Sequence, residues 1–303
     1  MSIMRSAARG RIRLHRSDRI FYAVVHIVMA FMLLITLYPI IYVLSASFSS
    51  PQAVSVGRVV LWPVEPSLRG YEEVFKYSAI WRGYANTIFY TVLGTLINVT
   101  MTLFAAFALS KKTLPGIRFF TFLFSFTMLF SGGLIPNYML NRSLGIINTR
   151  WVMLLPGAIS VYNMIVTRTF ISNIPAELNE AAQIDGCSDI RYFFAILLPL
   201  SRAVIAVIAL YYAVGHWNAY FNALLYLSRR ELYPLQIFLR EVLILNSVDT
   251  TSILDPEEAQ ALEGMRDLLK YSMIVVSTAP ILCVYPFLQK YFAKGVMVGS
   301  VKG

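Results

Sequence analysis

The sequence is poor in the residue types that build disulfide-bonded, metal-binding and catalytic sites. Its 303 residues include two cysteines and three histidines, and 14% of the residues are charged. Cys187 lies in a polar segment and Cys283 in an apolar one, so a disulfide between them is implausible. His15, His26 and His216 are too scattered for a metal site, and no cluster of nucleophile, base and orienting residue is evident. We therefore expect no catalytic residue and no metal ligand.

A phosphate-binding loop is also missing. Gly295, Gly299 and Gly303 lack the spacing to a Gly-Lys-Ser/Thr ending, and they follow an apolar run rather than a strand. We expect this chain to bind no cofactor. If ATP powers its activity, the ATPase is another polypeptide.

Apolar residues, in contrast, are abundant. They make up 57% of the chain and the mean hydropathy is +0.63, values at which a soluble domain would aggregate. Six runs are long enough to cross a hydrocarbon core. These runs are Phe21–Ser45, Tyr84–Leu109, Phe119–Met139, Trp151–Ile171, Tyr192–Leu227 and Tyr271–Phe292. The predicted fold is an all-α polytopic membrane protein with six transmembrane helices. We expect the first run to be a transmembrane helix rather than a cleavable signal peptide, because it is about as long as a full membrane span. Pro199 is expected to mark where the overlong fifth run enters the membrane.

The distribution of basic residues predicts the orientation of these helices. Six arginines precede the first run, and an N-terminus inside the cell puts 15 of the 26 Lys and Arg on the inner side. Both termini are therefore predicted to be cytoplasmic, in a protein of the cell membrane. The net charge of +10 does not indicate nucleic acid, because no basic and aromatic platform accompanies it. We divide the chain into a basic segment (1–20), a first helix with its outer loop (21–83), a core of five helices (84–293) and a cytoplasmic tail (294–303).

The two long outer loops differ in character. Ser49–Gly83 contains three prolines and is predicted to be irregular. Ser228–Lys270 holds eight of the sixteen acidic residues, and Asp255, Pro256 and Glu258 have the spacing of a helix start. A short surface helix is expected there, either in a solvated loop or as a docking surface for an extracytoplasmic partner.

A polar and acidic segment, residues 175–200, interrupts the apolar runs. Ser172 or Asn173 can cap a helix, Pro175 suits a first turn, and Gly186 tolerates the positive φ of a helix end. Ile174, Leu178 and Ala181 or Ala182 fall on one side of that helix, away from Glu177, Glu180 and Gln183. Asp189 is expected to cap a second helix that runs into the fifth apolar run. The prediction is a helix, a tight turn and a helix beside the membrane.

The spacing of residues in this segment is similar to a known signature. Its positions are Glu180, Ala181, Ala182, Gly186, Ile196, Leu198 and Pro199. They resemble the EAA loop of the membrane subunits of ATP-binding cassette (ABC) importers, and Asp185 and Phe193 are similar to its carbohydrate-importing branch. Cys187 stands where that family usually has alanine.

Other segments extend the resemblance over most of the chain. Similar to maltose-type permeases are "HWNAYFNALLYL" (His216–Leu227), "YPLQIFLRE" (Tyr233–Glu241) and "KGVMVGSVKG" (Lys294–Gly303). The segment "FSGGLIPNYML" (Phe130–Leu140) resembles a subgroup linked to complex oligosaccharides.

The resemblance implies a set of partners and a coupling site. The partners would be a second homologous permease, two ATPase subunits that hydrolyse ATP, an extracytoplasmic solute-binding protein and a carbohydrate substrate. The residues that couple to the ATPase would be Glu180, Ala181, Ala182, Asp185 and Gly186. The alternative is a helical hairpin in the cytoplasmic loop of any polytopic protein, with Gly186 a helix end only.

Polar residues inside the predicted spans are candidates for a solute path, because they are costly to leave facing lipid. The strongest candidates are Asn163, His216, Trp217, Asn218 and Asn222. Asn86, Asn98, Tyr211, Tyr212 and Tyr220 also qualify. Sugars offer hydroxyls to amides and apolar C–H faces to aromatic rings. The alternative for each residue is a hydrogen bond between helices.

Two other classes of membrane protein fit the sequence less well. An ion-coupled secondary transporter of a small polar solute predicts carboxylates within the spans or broken helices in inverted repeats, and all the acidic residues fall in loops or near span ends. A membrane-embedded enzyme is disfavoured by the missing catalytic cluster.

Overall fold

The structure, a computed structural model, describes residues 15–111, 113–245 and 256–300, and within these ranges all regular elements are helices. The helices are α1 Arg16–Ser47, α2 Pro51–Ser55, α3 Arg69–Lys76, α4 Ser78–Ser110, α5 Ile117–Leu129, α6 Leu134–Ser143, α7 Trp151–Leu154, α8 Val161–Ser172, α9 Ala176–Ile184, α10 Asp189–Tyr192, α11 Leu198–Leu200, α12 Arg202–Trp217, α13 Phe221–Tyr226, α14 Leu235–Leu245 and α15 Pro256–Ser300. A π-helical stretch, Phe193–Leu197, joins α10 to α11, and a 3₁₀ turn, Arg230–Leu232, precedes α14. The helical character that the apolar runs predicted is confirmed.

Three helices are long and apolar enough to cross a membrane alone, and two bent pairs could each act as one span. The three are α1, α4 and the part of α15 that covers Glu263–Val284. The bent pairs are α5 with α6, at 117°, and Asp189–Leu200 with α12, at 82°. The first, second and sixth predicted spans thus correspond to single helices.

The third, fourth and fifth predicted spans are not continuous. The third bends between α5 and α6, where Gly133 has a φ of 84°. The fourth is interrupted between α7 and α8, where Pro156 and Gly157 stand and Gly157 has a φ of 74°. The fifth bends at Ser201, two residues after Pro199, and α12 ends at Trp217. Glycine at positive φ and proline stop helices that hydropathy alone treats as unbroken.

Helix α4 is at the centre of the bundle and packs against α12, α8 and α14. The hydroxyl of Tyr212 links three helices, since it accepts a hydrogen bond from the Ser160 N–H at 2.9 Å and shares one with the Thr102 hydroxyl at 2.7 Å. Two glycines of α4 let its neighbours approach closely. A Cβ at Gly94 would overlap the imidazole of His216, and one at Gly83 would lie 2.9 Å from Cδ2 of Phe238.

Helix α1 is attached to the bundle mainly at its C-terminal end. Ala46 is buried there and the ring of Tyr42 lies 5.6 Å from that of Tyr271. From residue 17 to residue 40 nearly every side chain is exposed, and most are apolar. That surface needs lipid or another polypeptide around it.

The loop between α1 and α4, predicted to be irregular, contains ordered structure. It contains α2 and α3, and Ser50 and Arg58 both donate hydrogen bonds of 2.7 Å to the carboxylate of Glu65. These bonds lower the pKa of Glu65 below its ordinary value.

At the C-terminal side, Pro256 begins the long helix α15 rather than a short surface helix, because the apolar sixth run follows without a break. Asp255, residues 1–14 of the basic segment and residues 301–303 of the tail lie outside the described residues.

Candidate functional site

The predicted coupling loop is a short helix held at the end of the bundle. Helix α9 starts at Ala176, and Pro175 precedes it without a side-chain cap. The prediction that Ser172 or Asn173 caps this helix is wrong, because α8 extends further than expected. Ser172 is the last residue of α8, and the Asn173 N–H bonds back to the Phe170 carbonyl at 3.1 Å.

The C-terminal end of α9 has the geometry predicted for it. Gly186 has a φ of 74°, in the left-handed region. Its N–H donates to the Gln183 carbonyl at 3.0 Å, and the Cys187 N–H donates to the Ala182 carbonyl at 2.8 Å. This pair of bonds is the Schellman motif, which satisfies the last carbonyls of a helix and turns the chain sharply.

The second helix begins at Asp189, the residue expected to cap it, so the cap lies one residue earlier. Ser188, not Asp189, is the cap, and its hydroxyl accepts a hydrogen bond from the Arg191 N–H at 3.4 Å. The Asp189 carboxylate instead forms an ion pair with Lys111, the residue that follows α4. That pair connects the turn after α9 to the central helix.

The helical segment after this turn packs against α4 through aromatic rings. Phe193 stacks on Phe104, with ring centroids 4.9 Å apart, and its centroid lies 5.3 Å from that of Phe107. Phe193, Leu197 and Tyr192 are buried in the same core cluster as Ala182. A displacement of α9 therefore meets a rigid packed layer rather than a free loop.

Within α9 the signature residues divide between two faces. Ala182 is buried against the core, whereas Glu180, Ala181, Asp185 and Gly186 are exposed. Leu178, one helical turn before Ala182 on the side predicted to be apolar, is 42% exposed, so burial on that side does not extend to Leu178. The helix presents apolar as well as acidic groups outward, and it ends in Ile184, which is 86% exposed.

A groove of about 500 Å³ separates α9 from the end of α4. Glu180 and Gln183 line it on one side, and Lys111 and Phe107 on the other. The ammonium of Lys111 lies 4.9 Å from the centroid of the Phe107 ring. An acidic and a basic group thus face a space that a partner's side chain could enter.

The five candidates for the solute path have different surroundings. Trp217 is buried, and its indole N–H donates to the Ser277 carbonyl of α15 at 2.9 Å. Asn218 is exposed, and its amide donates to the Val214 carbonyl one turn earlier at 3.1 Å. Asn163 is buried within α8, and its backbone carbonyl accepts a hydrogen bond from the Thr167 hydroxyl at 2.7 Å. These positions fit helix packing at least as well as solute contact.

His216 meets α4 along a polar stripe. Its Nε2 is buried without a hydrogen-bond partner, as are side-chain oxygens of Thr91, Thr95 and Asn98. Spacings of four and three residues align these three on one face of α4. Asn86, five residues before Thr91, instead donates to the backbone carbonyls of Glu231 and Tyr233 at 2.7 and 3.1 Å, a packing role.

Asn222, the fifth candidate, lines a cavity of about 630 Å³ between α6, the α7–α8 turn and α13. Asn137, Asn141 and Tyr226 also line it. The ring of Tyr226 stacks on Tyr138 at 6.0 Å with an angle of 18° between planes. Three amides beside an aromatic ring have the polar and apolar chemistry that a sugar needs.

Asn137 and Asn141 were missed from the sequence. Both fall in or beside the third apolar run, and their spacing of four residues, one helical turn, would have been the signal. The break at Gly133 starts α6 just before them and turns that helix toward α13.

Apolar helices long enough to cross a membrane indicate an integral membrane protein. The chain belongs to the family described as binding-protein-dependent transport system inner membrane component, whose model matches residues 77–298. It is therefore a transport subunit of the inner membrane, a permease of an ABC importer. That membership argues against the ion-coupled and enzymatic alternatives.

Several relatives match nearly the whole chain. The polygalacturonan/rhamnogalacturonan transport system permease protein YtcP of Bacillus subtilis (strain 168) is 39% identical over 94% of this chain and 99% of its own. Protein LplC of the same organism is 42% identical over 89% of this chain and 90% of its own.

A solved structure matches as well. One chain of a bacterial ABC transporter involved in the import of the acidic polysaccharide alginate superposes with a TM-score of 0.83 at 37% identity, covering 92% of this chain and 99% of that one.

Proposed function

We propose that this chain forms, together with a second homologous permease, the translocation path of a binding-protein-dependent ABC importer for an oligosaccharide. The assignment of a carbohydrate substrate rests on two relatives whose names both state a polysaccharide. YtcP and the alginate transporter chain, at 39% and 37% identity over more than nine-tenths of this sequence, both belong to systems that import complex carbohydrates.

The coupling element in this proposal is α9. Two ATPase subunits hydrolyse ATP outside this chain, and a rigid element is needed to carry their motion into the membrane. Glu180, Ala181, Asp185 and Gly186 are exposed for docking, whereas Ala182 anchors the helix from beneath. The Schellman turn at Gly186 and the Lys111–Asp189 ion pair support transmission to α4 and α12.

The topology in this proposal has six spans with both termini in the cytoplasm. Helices α1, α4 and α15 are single spans, and the two bent pairs and the α7–α8 segment provide the remaining three. The division into a basic segment (1–20), a first helix with its loop (21–83), a core (84–293) and a tail (294–303) belongs to the same proposal. The exposed apolar length of α1 favours a contact with the second permease or with lipid.

The substrate contacts in this proposal lie first at the cavity that contains Asn137, Asn141 and Asn222. In the proposed orientation it opens toward the outside, where a solute-binding protein delivers its ligand. Its volume of about 630 Å³ falls in the range of small-molecule sites. The polar stripe of α4 opposite His216 is the next group along the bundle that has unpaired polar atoms.

Deletion of the gene in its host tests this function. Uptake of labelled oligosaccharides should fall to background and return when the wild-type gene is restored, whereas uptake of unrelated solutes is unchanged. Normal uptake of every carbohydrate tested would contradict the proposal.

A further inference from the structure

Charge is distributed unevenly along the core of this chain. Residues 74–176, which include helices α4 to α8, contain eight Lys or Arg and no Asp or Glu. A region of one sign attracts ligands of the opposite sign. Two of these eight basic residues, Arg118 of α5 and Arg168 of α8, line one pocket.

The pocket lies between α5 and α8 and has a volume of about 610 Å³. Its polar lining consists of Arg118, Arg168, Thr121 and Ser125, and Phe122 supplies an aromatic ring. Nη1 of Arg168 donates to the Thr121 hydroxyl at 3.3 Å, which orients the guanidinium along α5. Arg168 is partly buried and Arg118 is exposed.

Neither guanidinium has a carboxylate partner in the described part of the chain. The four ion pairs found there involve Arg58, Lys76, Lys111 and Arg230. An arginine within an apolar helix is costly unless it faces water, a polar cavity or an anion, so Arg168 indicates a functional position. The other groups on this pocket are hydroxyls and apolar side chains, which cannot neutralise it.

The position of the pocket relates it to the coupling helix. Arg168 is four residues before the end of α8, about 6 Å along the helix axis, and α9 begins four residues after that end. Arg118 is the second residue of α5. In the proposed orientation both arginines lie at the cytoplasmic end of the membrane helices, where a solute leaves the path.

We propose that Arg118 and Arg168 bind the carboxylates of an acidic, uronate-bearing oligosaccharide as it leaves the translocation path. A guanidinium presents paired N–H donors that match a carboxylate, and the Ser125 hydroxyl and Phe122 ring suit sugar hydroxyls and a C–H face. This inference rests on the proposed function and narrows its substrate to acidic oligosaccharides. The phosphate of an anionic lipid headgroup is the other source of an anion at this depth, and the test separates the two.

The experiment uses the full complex with its binding protein in proteoliposomes, with a tri-uronate and its carboxyl-reduced neutral counterpart as probes. Arg168→Gln and Arg118→Gln should each lower the maximal rate of tri-uronate uptake about tenfold, the loss expected for a charge-assisted hydrogen bond. Arg168→Lys should recover part of that rate. Arg142→Gln, at an exposed arginine of α6 away from the pocket, should remain within about twofold of wild type.

Several outcomes would overturn the proposal, and they differ from a failure of the proposed function. Uptake of the neutral probe alone, or wild-type tri-uronate uptake in both glutamine variants, refutes the anion site while the importer function stands. A defect that disappears in purely zwitterionic liposomes identifies a lipid headgroup as the occupant. If Arg168→Gln fails to assemble with the ATPase subunits, the exposed Arg118 alone decides the outcome. Absence of ATP-dependent uptake of any carbohydrate refutes the proposed function itself.

Discussion

Replacing Gly186 by valine is the perturbation whose cost can be worked out most directly. Gly186 has a φ of 74°, and a Cβ built there would meet no atom within 4 Å. Any effect within this chain therefore comes from the backbone and not from a clash. The left-handed conformation costs a residue with a Cβ about 1–2 kcal/mol. A cost of that size shifts the equilibrium between the closed and the frayed helix end by a factor of about 5–30.

The expected consequence is weaker coupling, because the two bonds that close the turn connect α9 to the segment after it. In proteoliposomes, Gly186→Val should lose most of the ATPase activity that the loaded binding protein stimulates, together with uptake. Gly186→Asn is the matched control, since asparagine tolerates the left-handed region, and it should keep most of both activities. Gly186→Ala should fall between them.

The result that would refute this reasoning is wild-type stimulation and uptake in Gly186→Val. Equal loss in Gly186→Val and Gly186→Asn would mean that the bare glycine surface, and not its backbone conformation, is what the ATPase requires. Co-purification of the ATPase subunits with each variant distinguishes failed assembly from failed coupling.

Three further predictions follow from the same arrangement. Glu180→Lys reverses the charge beside the α9 groove and should abolish uptake. Co-purification of the ATPase subunits, or stimulation of their activity, should be lost as well, whereas sugar binding to the isolated binding protein is unchanged. Normal uptake would exclude a docking role for Glu180. Asn222→Ala combined with Asn137→Ala should lower the rate of oligosaccharide uptake about tenfold at normal surface expression, and an unchanged rate would remove the outer cavity from the path. Trp217→Phe removes the hydrogen bond to the Ser277 carbonyl and should lower the free energy of unfolding of the complex by about 1–3 kcal/mol, seen as a lower thermal midpoint. The uptake rate per assembled complex should be nearly unchanged, and loss of uptake in a stable complex would assign Trp217 to the path.

The turn that ends α9 could be predicted from the sequence because its chemistry is local. A helix end at a glycine depends only on the positive φ of that glycine and on two backbone hydrogen bonds to the last turn of the helix. Gly186 has this φ, and the N–H groups of Gly186 and Cys187 form the two bonds. The caps were less predictable, since a cap depends on where the neighbouring helix stops. Ser172 belongs to α8, and Ser188 was available one residue before Asp189.

The breaks in the apolar runs could not be predicted from hydropathy. A window of apolar residues has the same mean value whether its helix is straight or bent by 117° at Gly133. The bend starts α6 immediately before Asn137 and Asn141, and it thereby creates the cavity that the sequence reading missed. The hydrogen bond of Trp217 could not be predicted either, because its partner, the Ser277 carbonyl, belongs to α15, which begins 39 residues later in the chain.

The measurement that tests the central claim most directly is uptake by proteoliposomes that contain this chain, a second permease and the ATPase subunits. An oligosaccharide should enter only when the binding protein is present on the one side and ATP on the other. Omission of either component should reduce uptake to the level of empty liposomes. Uptake driven equally well by a proton or sodium gradient without ATP would contradict the account.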